Sequence, residues 1–237
     1  MTPNNTVFAC RVHDPCQFPL LDQALYSLRD CYPTDPVVVV CDGFAAATLE
    51  LHLLTQHWDA ELWVLPALKE RKHGGRYVQT WLDIWRHFGT YYLVKFDPDT
   101  LFWRVSDVHL RPGLWGTVQQ LGELRGVQGG CAVFSGGLEH WSLALYDMLS
   151  RRDLCSPFNA WEVPEVAQYT KKSPLIAEDW VLAWAVREAG LQVNSHPAIN
   201  SHWSTPPIAA GGASPWAVTH PHKTVEIETG SPQAWFR

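Results

Sequence analysis

The chain has 237 residues, 46% hydrophobic and 18% charged, which is enough apolar material to bury a core and excludes a disordered chain. Its formal net charge of -6 and the lack of any long basic run exclude a nucleic-acid backbone binder and polybasic docking to a membrane. No stretch approaches the roughly 18 apolar residues of a membrane span, and the polar start Met1 to Thr6 lacks the apolar centre of a signal peptide, so a cytoplasmic chain is expected.

Thr6 to His13 reads as a first strand, closed by Asp14-Pro15. From Phe18 to Cys31, Leu20, Leu21, Leu25 and Leu28 recur at helical spacing, and Tyr32-Pro33 ends the helix. Pro36 to Cys41, nearly all valine, is a strand buried on both faces. A helix from about Ala45 to His57 leads to the strand Glu61 to Leu65, which Pro66 stops. A polar loop, Lys69 to Gly75, precedes a helix from Arg76 to Phe88, which delivers the chain to Tyr91-Tyr92-Leu93-Val94-Lys95-Phe96-Asp97-Pro98-Asp99-Thr100. Strands alternating with helices predict an α/β fold with a mainly parallel sheet and helices on both faces. In such sheets ligands sit beyond the carboxyl ends of the strands, where Asp14, Asp42, Asp97 and Asp99 all fall.

Beyond Thr100 the pattern weakens. Leu101 to Val105 reads as a short strand, Val108 to Leu124 has no assignable periodicity, and Gly126 to Gly137 encloses a strand bordered by glycines. A helix over Leu138 to Arg152, a long loop from Asp153 to Pro174, a helix from Ala177 to Ala189 stopped by Gly190, and a strand over Leu191 to Asn194 follow. The tail is rich in Pro, Gly, Trp and His, and neither a repeat nor a linker divides the chain. Six cysteines (Cys10, Cys16, Cys31, Cys41, Cys131 and Cys155) show no CxxC spacing, which favours reduced thiols over disulfides or a zinc site. Most of the 13 tryptophans are expected in the core, with Trp161, Trp180 and Trp203 as candidates to line a groove, since aromatic faces also stack on sugar rings.

Asp97-Pro98-Asp99-Thr100 carries the chemistry. Pro98 cannot donate to a sheet ladder, so the strand ends there, and in near-extended backbone the two carboxylates lie on one side. Two hard oxygen ligands suit Mg²⁺ or Mn²⁺, which also take oxygens from a substrate's phosphates. The same four residues are good turn chemistry, and an isolated Asp-x-Asp is more often a turn than a ligand pair.

With the apolar strand ending in Asp-x-Asp, the Gly129 to Ser135 strand and Glu178-Asp179 opening a late helix, the chain resembles GT-A-fold nucleotide-sugar glycosyltransferases, over about Val7 to His222. The Lys95 to Asp99 and Glu178-Asp179 stretches look closest to the galactosyltransferase and fringe type. The resemblance implies a doubly wound mixed sheet in a single domain over 1–237, with a nucleotide-binding half, 1–105, and an acceptor and catalytic half, 106–237. It implies a metal-dependent transferase of the EC 2.4 class that moves a sugar from a nucleotide-diphosphate donor, a UDP-sugar by preference, to a saccharide, glycolipid or protein acceptor, with inversion.

Asp97 and Asp99 match the family's metal-binding pair. His222, beside Lys223, matches the late histidine that completes the metal site, with His220 its rival and His202-Trp203 a weaker pair; Lys223 would meet the diphosphate. No HxGxxKP run is present here. Asp42 matches the position that contacts base or ribose, although it can equally cap the following helix. His13 and Asp14 lie where the first loop meets the nucleotide. Arg76, with Lys72 or His73, can hold ribose or phosphate at a helix start, against the alternative of a solvated basic loop. Gly129 and Gly130 let backbone approach the donor sugar, or simply form a tight turn. Asp179 is the expected general base, with Glu178 binding the acceptor or orienting the site; acids in a helix's first turn are also favoured electrostatically. Two rivals remain: a non-catalytic nucleotide- or sugar-binding module of this fold, and a sugar nucleotidyltransferase, whose glycine- and arginine-rich first loop Asp14-Pro15-Cys16 does not resemble.

Overall fold

A computed structural model of the chain describes residues 5–42, 48–65, 74–121, 123–141, 178–201 and 214–220. Strand β1 (Thr6–Val12) alternates its side chains between two cores, as the two-residue period of a strand requires. Val7 and Ala9 join Val78, Trp81, Trp85 and Trp141 on one face, while Phe8, Cys10 and Val12 join Leu21, Leu25 and Leu28 on the other. Helix α1 (Phe18–Cys31) covers the second face, as its leucine spacing predicts. Helix α3 (Gly74–Phe88) and α4 (Glu178–Glu188) cover the first. Between α1 and α3 lie β2 (Val37–Asp42), helix α2 (Leu49–His57) and β3 (Glu61–Leu65).

After α3, β4 (Tyr92–Phe96) enters the sheet beside β1, fully buried along its length. The large sheet has the order β3-β2-β1-β4-β7-β6-β8, with β6 (Gly113–Leu121), β7 (Leu124–Ser135) and β8 (Val193–Ser195). Strands β1 to β4 are parallel, so Val12, Asp42, Leu65 and Phe96 end on one edge. Strand β7 runs antiparallel to β4, with Cys131 opposite Phe96, so its glycines reach that same edge. The result is a mixed, mainly parallel α/β sheet, as the alternation of strands and helices predicts.

A second, three-stranded sheet has the order β5-β10-β9, formed by β5 (Leu101–Phe102), β9 (Ile199–Asn200) and β10 (Val218–Thr219). It buries Phe102, Ile199 and Val218 against the α1 core. Trp103 at the end of β5 ties it further, donating its indole N–H to Thr219 Oγ1 at 2.7 Å.

Three expectations are corrected. The stretch from Val108 to Leu124 contains β6, whose Leu114–Gly116 segment pairs with both β7 and β8 while Val118–Leu121 pairs with β7; its GTVQQ run shows no apolar period. The strand after Thr100 spans two residues rather than continuing to Val105. Helix α2 is capped by Thr48, whose hydroxyl accepts from the Leu51 N–H, so Asp42 is not its cap. Leu138–His140 forms one tight turn; the rest of the expected Leu138 to Arg152 helix, and the loop from Asp153 to Pro174, lie outside the described residues. Gly190, at φ 69°, ends α4 as a left-handed stop. Among the described residues no helix is long and apolar enough to cross a membrane.

Candidate metal and donor site

The Asp97 to Thr100 turn is the centre of the site. Thr100 N–H donates to the Asp97 carbonyl at 3.0 Å, so the turn expected of Asp-Pro-Asp-Thr forms, and it is the device that presents both acids. Two bonds fasten it to β7, both accepted by the Gly130 carbonyl: Asp97 N–H at 2.9 Å and Thr100 Oγ1 at 2.9 Å. Asp97 is about a third exposed (37%), whereas Asp99 is buried. The cluster therefore opens to solvent on the Asp97 side.

His220 arrives from the other end of the chain. Strand β10 runs antiparallel to β5, with Thr219 opposite Leu101, so the next residue, His220, falls opposite Thr100. Its N–H donates to the Asn200 carbonyl at 3.0 Å, which fixes the backbone. Its Nε2 lies 3.1 Å from Asp99 Oδ1 and 3.6 Å from Asp97 Oδ2. One ligand atom from each of Asp97, Asp99 and His220 lies within 4.8 Å of the others.

The glycines explain how the ring fits. A Cβ on Gly130 would stand 1.9 Å from His220 Nδ1, so only glycine leaves room for the imidazole. A Cβ on Gly129 would stand 3.1 Å from an Asp179 carboxylate oxygen. On its Cβ side Gly130 thus meets the His220 ring, and Gly129 meets the Asp179 carboxylate.

Lys95 carries a role that sequence reading passed over. Buried on β4, it sets its ammonium 2.6 Å from Asp97 Oδ1 and donates to the Gly129 carbonyl as well. Burial opposes ionisation of Asp97, but Lys95 and His220 beside it, with Arg11 further off, hold its carboxyl below the usual range. The signal was present: a lysine inside an otherwise apolar strand is costly to bury without a partner.

Asp179, in the first turn of α4, is half-buried and points back at β7. Its Oδ2 accepts from the Gly129 N–H at 3.3 Å and from Gln119 Nε2 at 3.2 Å. Gly129 therefore sits between the two acidic groups, its N–H on Asp179 and its carbonyl on Lys95, which holds Asp97. Glu178 opens α4.

The strand ends beside this cluster are also furnished. Asp42 is buried at the end of β2 and accepts from the Tyr77 hydroxyl at 2.5 Å; the Arg11 guanidinium lies 3.8 Å from the centre of the Tyr77 ring. Neither Arg11 nor Tyr77 was singled out in the sequence, because neither belongs to a motif. His13 and Asp14 are exposed after β1. Asp14 caps the short turn that follows, and its hydrogen bonds from Cys16 hold its carboxyl below the usual range. Arg76 lies in the first turn of α3. Trp180 packs against the α3–α4 core. His222, Lys223, Lys72, His73, His202, Trp203 and Trp161 lie outside the described residues.

These residues fit a divalent ion. Carboxylate and imidazole is a donor set that Mn²⁺ accepts readily, and Asp99 Oδ2 is buried with no hydrogen-bond partner among the described residues. Buried polar atoms are rarely left so without reason.

No family model matches the chain, and no curated protein matches it by sequence. Among solved structures, it is similar to the galactosyltransferase LgtC in complex with donor and acceptor sugar analogs, with a TM-score of 0.52 and 14% sequence identity. The match covers 97% of this chain and 93% of that one. At that identity the likeness carries the fold. A GT-A-like α/β chain with an Asp-Asp-His group that could hold a divalent ion is the class defined here.

Proposed function

We propose that the chain is a metal-dependent glycosyltransferase of the EC 2.4 kind, which moves a sugar from a nucleotide-diphosphate donor, preferentially a UDP-sugar, to an acceptor hydroxyl with inversion. The observation that carries this reading is the convergence of Asp97, Asp99 and His220 at the carboxyl edge of the sheet. That is where ligands of open α/β sheets bind. The neighbour of the same fold holds sugar-donor and acceptor analogs, which supports the reaction class.

Asp97, Asp99 and His220 would hold the ion, Mn²⁺ rather than Mg²⁺ because one donor is imidazole. When bound, such an ion neutralises charge on the departing diphosphate as a Lewis acid. The protein supplies the remainder. Asp42, His13 and Asp14 face the nucleoside from the ends of β1 and β2, Arg76 and Lys223 offer positive charge to ribose or phosphate, and the Gly129–Gly130 backbone borders the sugar. Asp179, oriented by Gly129 and Gln119, takes the acceptor hydroxyl's proton as the new oxygen–anomeric carbon bond forms. The bond from that carbon to the diphosphate oxygen breaks, and nucleoside diphosphate leaves with the electron pair. Glu178 binds the acceptor or orients the site.

The test is release of nucleoside diphosphate from a panel of nucleotide sugars, with Mn²⁺, Mg²⁺ or EDTA and a mixed set of saccharide acceptors. The expected result is metal-dependent release from a UDP-sugar, with the product's anomeric proton coupling showing inversion. A retained anomer would remove Asp179 from the role of base. No release from any donor would leave a binding module.

A further inference from the structure

Within the proposed metal site, one of the two acids is already half engaged by the protein. Lys95 enters from inside β4 with its side chain only 8% exposed, and its ammonium rests on Asp97 Oδ1 at 2.6 Å. Resting on the metal reading above, we propose that Lys95 is a built-in counter-cation that makes this site a weak binder of a bare divalent ion and a strong binder of that ion together with a nucleoside diphosphate.

Charge gives the first argument. Two carboxylates, one ammonium and an imidazole in the neutral form that binds metal carry a single net negative charge. A divalent ion added to them leaves net positive charge among Lys95, Asp99 and His220, all three buried. Uncompensated charge in so dry a place is strongly disfavoured. A diphosphate brings both the missing negative charge and further oxygen ligands.

Geometry gives the second. With Oδ1 held by Lys95, Asp97 offers the oxygen nearer the histidine, Oδ2, 3.6 Å from His220 Nε2. Asp97 is thereby confined to a single ligand atom. Asp99 offers Oδ1, 3.1 Å from the same nitrogen, and the unbonded Oδ2. Even with Asp99 bidentate, the donors that Asp97, Asp99 and His220 bring among the described residues fall short of the roughly six that hard divalent ions take. The exposed flank at Asp97 is where the others must enter, so ion and diphosphate complete one another's site.

A third feature makes the role testable. Lys95 also holds the Gly129 carbonyl. If it served structure alone, removing it would loosen Asp97 and weaken metal binding. As a counter-cation, its removal strengthens binding of the bare ion. The two roles predict opposite signs.

Mn²⁺ binding by the full chain is measured by electron paramagnetic resonance or calorimetry, with and without saturating UDP, for wild type, Lys95→Met and Lys95→Arg. Wild type should bind Mn²⁺ about 100-fold more tightly with UDP than without. Lys95→Met should bind the bare ion about tenfold more tightly than wild type and gain correspondingly less from UDP, while Lys95→Arg, which keeps the charge, should follow wild type. Circular dichroism and melting establish that each variant is folded. If Lys95→Met is not, Lys95→Gln, which keeps an N–H donor for Gly129 without the charge, is read in its place. The proposal is overturned if the neutral variant binds bare Mn²⁺ no more tightly than wild type, or if UDP does not strengthen Mn²⁺ binding in wild type. Absence of Mn²⁺ binding under both conditions overturns the metal site itself. Coupled Mn²⁺–UDP binding that is indifferent to Lys95 overturns only the counter-cation.

Discussion

The two ends of the site are built in different ways. On the β1–β4 side, parallel strands finish on one edge, and each delivers its acid simply by ending there: Asp42 closes β2, and Asp97 follows β4. On the other side nothing arrives by strand order. His220 is placed by a two-residue strand lying on β5, and Asp179 by a helix leaning over β7. On the first side strand order sets each acid's place, and the Asp97 turn is then fastened to the Gly130 carbonyl. The second depends on contacts between distant segments, and Gly129–Gly130 is where those contacts meet. Damage to that pair should therefore fall on His220 and Asp179, and on Asp97 through the Gly130 carbonyl, before it reaches Asp42.

The largest effect is expected from Asp179→Asn, which keeps the hydrogen-bond acceptor for Gly129 but removes the base. The turnover number should fall by about 10²–10⁴, with the KM for donor little changed, as steady-state kinetics would show. A large rise in donor KM with turnover intact would move Asp179 from chemistry to binding.

Gly130→Ala should come next. Its new methyl would stand 1.9 Å from the His220 ring, so the imidazole must leave or the β7 backbone must shift. Denaturant unfolding should show a loss of about 3 kcal/mol, the upper part of the usual overpacking range. Adding His220→Ala should restore much of that stability while leaving metal binding impaired. If the double variant is no more stable than Gly130→Ala, the ring is not what makes the glycine necessary.

The smallest effect concerns acid sensitivity of the second side. His196, buried between β8 and β9, accepts from the Ala198 N–H, and burial pushes its pKa down to about 4. The folded protein keeps it neutral where the unfolded chain, with a pKa near 6.5, is protonated. Stability contributed by the neutral ring is complete above pH 6.5 and is lost as pH falls toward 4. Between pH 6.5 and pH 5 the loss should be about 2 kcal/mol. Urea midpoints across this window should fall for wild type and stay flatter for His196→Gln. Equal slopes would show that another group controls the acid limb.

The same contrast sets how much could be read from sequence. Alternating apolar runs and helical leucines gave β1 through β4 nearly to the residue, because each element there has its own strong period. Asp97 and Asp99 were legible because the proline, the preceding buried strand and the acids are adjacent in the chain. Strand β6 was not, since GTVQQ carries no apolar alternation and its pairing comes from two neighbours elsewhere. The late histidine was narrowed only to His220 and His222. A two-residue strand has no sequence pattern, and its register on β5 is what puts His220 beside the acids, while His222 lies outside the described residues. Lys95 was visible but read as part of a strand, because its significance depends on the Gly129 carbonyl from β7. Gly130 was recognised as a position needing close approach, and on its Cβ side the neighbour in close approach is the His220 ring.

The central claim is that the acidic pair and its histidine bind a metal that holds a nucleoside diphosphate. The most direct measurement is calorimetric titration of UDP into wild type and the Asp97→Ala/Asp99→Ala variant, with Mn²⁺ and then with EDTA. The account predicts binding by wild type that requires Mn²⁺ and is lost in the double variant. UDP binding that persists in EDTA and survives loss of both acids would contradict it.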